Sequence, residues 1–68
     1  MSQSGYVYLE DCTIKSISDA AIEVVYEGER IWFPKSQMQD FDRLEKGDEN
    51  VTVCVTEWIA KQKNIEVD

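Results

Sequence analysis

Two short runs of alternating apolar residues, joined through a single glycine, constrain this chain more than any other feature. From Ala21 to Tyr26, Ile22, Val24 and Tyr26 fall on one face, with Glu23, Val25 and Glu27 on the other. Beyond Gly28 the pattern resumes, with Ile31 and Phe33 opposite Arg30 and Trp32. A period of two in β-branched and aromatic residues, broken by a short Gly-containing link, predicts an antiparallel hairpin. Pro34 cannot donate to a ladder, so the second strand should end there or run along an edge. The chain has only 68 residues, so this hairpin is a large share of one small domain spanning 1–68. A domain of this size buries only about 60% of the surface its unfolded chain exposes, which leaves a thin core.

The remaining segments extend the same theme. Tyr6 to Leu9 alternates, with Val7 and Leu9 on one face and Tyr6 and Tyr8 on the other. At Glu10-Asp11 the parity slips and Cys12 and Ile14 take over the apolar register, the signature of a β-bulge. Ser18-Asp19 reads as a turn, and Met1 to Ser4 as a loose terminus. Ser36-Gln37-Met38-Gln39 fits the S-x-x-Q capping box, predicting one or two helical turns that bury Met38 with Phe41 or Leu44. Lys46-Gly47-Asp48-Glu49-Asn50 is a turn, and Val51 to Val55 alternates as a strand. Thr56 suits the N-cap of a helix over Glu57 to Lys63, with Asn64 at its C′ position. Ile65 and Val67 are read as a short last strand. The fold expected is mainly β: a small, strongly bent antiparallel sheet, or an SH3/OB-like barrel, of four to five strands with a short C-terminal helix. An α+β sheet with one packed helix is the nearest alternative. The helix should plug one open end with Trp58 or Ile59, and Trp58 is read as core, both being buried if the helix lies flat.

Composition narrows the chemistry. There are 14 acidic and 7 basic residues and no histidine, a formal net charge of -7. Catalytic arrangements built on His, and His metal ligands, are therefore excluded. Cys12 and Cys54 form neither a CxxC pair nor a zinc set; they read as small buried hydrophobes that bridge only if strands bring them together. Asp40-x-Asp42 lacks the other ligands of a calcium loop. The pairs Glu10/Asp11 and Asp40/Asp42 would need a water-excluding pocket for acid–base work. No cofactor, metal or catalytic residue is assigned, and the chain reads as no enzyme. The charge disfavours duplex nucleic acid and anionic membrane surfaces alike. No signal peptide and no bilayer-length apolar run stand out, so a cytoplasmic location is expected.

Acid density peaks between residues 36 and 50, with five acidic side chains against two basic ones. Asp40, Asp42, Glu45, Asp48 and Glu49, with Trp32 as an apolar anchor, form the candidate partner-binding set. The bland reading of the same stretch is a solvated loop. A second set, Tyr6, Tyr8, Arg30, Trp32 and Lys35, combines aromatic rings for stacking with cations for phosphates. Its bland counterpart is cross-strand aromatic packing, with Trp32 covering the second face of the sheet.

Trp32-Phe33-Pro34-Lys35-Ser36-Gln37, Gly47-Asp48 and Val55-Thr56-Glu57-Trp58-Ile59-Ala60-Lys61-Gln62-Lys63 together resemble a group of short bacteriophage and prophage proteins. Their pattern is W-[IVF]-P-K-S-Q, an acidic Gly-Asp turn, then W-[IL]-A-x-x-K, and it spans about residues 22–63. Asn64 stands where that pattern usually has Gly. The resemblance implies a phage origin and a place near recombination or strand-annealing functions. The expected role is a protein-binding modulator that docks on a basic surface, as DNA-mimic inhibitors such as some anti-CRISPR proteins do. A single-stranded nucleic-acid accessory on an OB-like barrel is the alternative, and a small structural subunit with no regulated partner, which a homodimer on an exposed β-edge would reveal, is the third.

Overall fold

A computed structural model describes residues 5–65. Strand β1 (Tyr6–Ile17) is the longest, and the two places where it breaks the period of two shape the molecule. Against β5 (Val51–Thr56), Leu9 pairs with Val53 but Cys12 with Val51, so one extra residue enters at Glu10-Asp11. Asp11 there takes a left-handed φ of 60°, a conformation a short polar side chain tolerates better than most. A second slip lies between Ile14 and Ser16 against β2 (Ala21–Tyr26). Each bulge bends the strand and sharpens its twist. The N-terminal half of β1 thereby pairs with β5 and the C-terminal half with β2.

The sheet runs β3-β2-β1-β5-β4, with β3 at Glu29–Pro34 and β4 at Met38–Gln39. Every pairing is antiparallel, and the sheet is strongly bent and open, with β3 and β4 as its edges. The β2–β3 hairpin turns through Glu27 and Gly28, at φ 52° and 82°. Positive φ at both turn positions is what a two-residue connection between right-twisted strands needs. Tyr26 and Glu29 flank that turn as a pair, which puts Arg30, Trp32 and Pro34 at the alternate positions of β3. Their backbone nitrogens face the open edge, where the missing N–H of Pro34 leaves no gap in the ladder.

The inward faces of both halves meet in one core in which Ile14, Ile22, Val24, Phe33 and Val55 are fully buried. Helix α1 (Glu57–Gln62) closes it with Ile59 and Ala60. Its N-cap is Thr56, whose Oγ1 accepts the Ile59 N–H at 3.1 Å. At the other end Asn64 sits at φ 63°. The Asn64 N–H donates to the Lys61 carbonyl at 3.1 Å and the Ile65 N–H to that of Ala60 at 2.9 Å. Those two bonds complete a Schellman motif, and Ile65 packs against the core as its apolar partner.

Three expectations are corrected. The S-x-x-Q segment caps no helix. Lys35–Gln37 is one 3-10 turn with no side-chain cap, and Met38 and Gln39 then pair with Val55 and Cys54. Ladder bonds to the free side of β5, with burial of Met38, outweigh local helix propensity there. A second 3-10 turn, Phe41–Arg43, starts from Asp40 at φ 59° and leaves Phe41 and Leu44 half-buried. Trp58 is 58% exposed and not part of the core. A helix this short offers one inward arc, which Ile59 and Ala60 fill, and Trp58 falls outside it. Ile65 follows the helix cap and is not in a strand; Val67 and Met1 to Ser4 lie outside the described residues.

Candidate functional site

The acid-rich connection between β4 and β5 is held against the sheet. The Ile14 N–H donates to the Asp48 carbonyl and the Gly47 N–H to the Ile14 carbonyl, both at 2.8 Å. The loop thus continues the ladder on β1 where β5 has not yet begun. Within it, the Asp48 carboxylate accepts the Glu45 N–H at 3.0 Å, which fixes that side chain as part of the turn. Asp40, Asp42, Glu45 and Glu49 are exposed, whereas Asp48 is half-buried.

Two grooves share Tyr8, and the smaller of them borders this connection. One, of about 540 Å³, is lined by Tyr8, Glu10, Asp11, Thr13, Val25, Tyr26, Glu27 and Gly28. The other, of about 320 Å³, is lined by Tyr8, Gln39, Asp40, Arg43, Leu44, Asp48, Val51, Thr52 and Cys54. Tyr8 borders both and is 67% exposed. In the larger groove the Tyr26 hydroxyl has its pKa pushed up, first by burial and then by the neighbouring Glu27 carboxylate, with Glu10 adding to it. An anionic lining resists one more negative charge. Sequence reasoning noted Glu10 and Asp11 only as a pair and did not join Glu27 or Tyr26 to them. The available signal was the bulge at Glu10-Asp11, since bulges often re-aim side chains.

The sequence-based sets are only partly gathered. Asp40 and Asp48 share the smaller groove, Asp42, Glu45 and Glu49 stand outside its lining, and Trp32 lines neither groove. Trp32, 44% exposed, lies across from Glu23, and Arg30 lies across from Val25. Tyr6 and Tyr8 lie across from Thr56 and Cys54, on the outer face of the other half of the sheet. Lys35 holds its Nζ 5.5 Å from the centroid of the Phe41 ring, a cation–π contact tying the two 3-10 turns together. The stacking residues are therefore exposed but divided between the two halves of the sheet, and one of their two cations is engaged within the fold.

Both thiols are free. Cys12 donates to the Leu9 carbonyl at 3.2 Å, and burial pushes its pKa up to about 11. Burial likewise raises Cys54. Both are protonated near neutral pH and are poor nucleophiles. Among the described residues there is no group of three or more His, Cys, Asp or Glu side chains placed to hold a metal ion. Nor, among those residues, is any helix long and apolar enough to cross a membrane. No protein-family model, curated protein or solved structure matches the chain.

Proposed function

We propose that this chain is a small, non-enzymatic, acidic binding protein of phage type. It docks in the host cytoplasm on a nucleic-acid-handling protein and occupies the basic groove that otherwise takes phosphates. The observation that carries this reading is the exposure of Asp40, Asp42, Glu45 and Glu49 on a loop pinned to Ile14. Carboxylates held on an ordered scaffold present fixed negative charge at little entropic cost on binding. The net charge of -7 speeds encounter with a basic partner and repels acidic ones.

Affinity capture from host lysate tests it, using the wild-type chain beside a variant with Asp40, Asp42, Glu45 and Glu49 all replaced by Lys. Asp48 is left intact because it holds the turn. The reading expects wild type to capture a protein whose oligonucleotide binding it competes away, and the variant to lose that protein. Unchanged capture by the variant, or oligonucleotide binding undiminished by the wild-type chain, overturns it.

The exposure of Tyr6, Tyr8 and Trp32 supports the second reading, single-strand binding by base stacking. Trp fluorescence titrated with oligo(dT) at low salt separates the two. Quenching supports stacking, and its absence removes that reading.

A further inference from the structure

We infer that the outer face of β1 and β5, centred on Tyr8, extends the partner-binding surface beyond Asp40, and that it receives an arginine-bearing extended segment of the basic partner. The inference rests on the acidic-binder reading and gives it a place and a chemistry.

This is an unpartnered sheet face carrying two large aromatic side chains, Tyr6 at 43% and Tyr8 at 67% exposure. On one side of Tyr8 the groove wall holds Glu10, Asp11 and Glu27. On the other it holds Asp40 and Asp48, with Arg43 the one cation in either lining among the described residues. An aromatic ridge between two anionic grooves complements a guanidinium, a planar cation that stacks on a ring and forks two donors to a carboxylate. A lysine ammonium matches the charge but neither the stacking nor the fork. The same lining repels phosphate, and a second copy would bring like charge to like charge. The walls are strands, a tight hairpin turn and the loop pinned to Ile14, so little ordering is needed on binding.

The test is a backbone-amide NMR titration with an oligoarginine peptide, and an oligolysine peptide of equal length for comparison, near physiological salt. Saturable binding is expected, with shifts concentrated at Tyr8, Glu10, Asp11, Glu27, Asp40 and Cys54. Oligoarginine should bind about tenfold tighter than oligolysine, in line with a cation–π and bidentate gain. Tyr8→Ala should abolish that preference and Tyr8→Phe retain it. Tyr8 is exposed, so both variants fold, as matching circular dichroism spectra should show. Shifts spread evenly, or centred on 42–49 or Trp32, overturn this site while leaving the acidic-binder reading standing, as does unchanged arginine preference in Tyr8→Ala. Absence of saturable binding by either peptide overturns both.

Discussion

Replacing Thr56 by Val removes one hydroxyl that serves two contacts while keeping the β-branched shape the strand needs. In the native chain that oxygen accepts the Ile59 N–H at 3.1 Å and donates to Gln37 Oε1 at 2.8 Å. It therefore caps α1 and ties the helix to the 3-10 turn before β4. Loss of an N-cap costs about 1 kcal/mol, and loss of a part-buried hydrogen bond about as much again. The sum, about 2 kcal/mol, is a large share of the stability of so small a domain. At this size it lowers the melting midpoint by roughly 8–16 °C. Thr56→Ser keeps the oxygen and should cost about 0.5 kcal/mol or less, the usual effect of a change that breaks no specific contact. A double-mutant cycle of Thr56→Val with Gln37→Ala should return a coupling of about 1 kcal/mol, read from urea melts. If Thr56→Val and Thr56→Ser melt alike, within about 0.5 kcal/mol of wild type, the two-contact account is wrong.

Other expectations concern the helix ends and the buried thiol. The Cys12 pKa is raised from 9.0 to about 11, so the folded state holds the proton more tightly than the unfolded chain. Its contribution to stability is complete below about pH 9 and is lost as pH rises through about 11. The difference in urea midpoint between wild type and Cys12→Ala should shrink across that window; growth with pH would contradict it. Trp58→Ala should change stability by under about 0.5 kcal/mol, whereas Ile59→Ala should cost about 2–5 kcal/mol. Equal costs in urea melts would return Trp58 to the core. Asn64→Gly relieves a left-handed residue and should stabilise by about 0.5–1 kcal/mol, and a lower thermal midpoint for that variant would refute the Schellman assignment.

The parts of the fold legible in the sequence are those set by local chemistry. Ile22, Val24, Ile31 and Phe33 mark the hairpin, and Gly28 marks its turn. Thr56 and Asn64 bracket the helix because capping is a short-range matter. The spacing of three from Leu9 to Cys12 disclosed the first bulge. The same spacing from Ile14 to Ile17 marks the second, and sequence reasoning passed over it. What stayed hidden depends on distant partners. Met38 and Gln39 join the sheet because β5 offers them a ladder, which outweighs a capping-box signal read locally. The acidity of 40–49 was plain, but the larger groove was not. Glu27 lies far along the chain from Glu10 and Asp11, and only the pairing of Thr13 with Val25 brings the hairpin end beside the bulge.

The central claim is that fixed carboxylates recruit a basic protein partner. It is tested most directly by the association rate of the captured partner with wild type and with a variant whose Asp40, Asp42, Glu45 and Glu49 are made Asn or Gln. The account predicts at least an about tenfold slower association for the variant at low salt, with a flatter salt dependence. Equal rates and equal salt dependence for the two chains would contradict it.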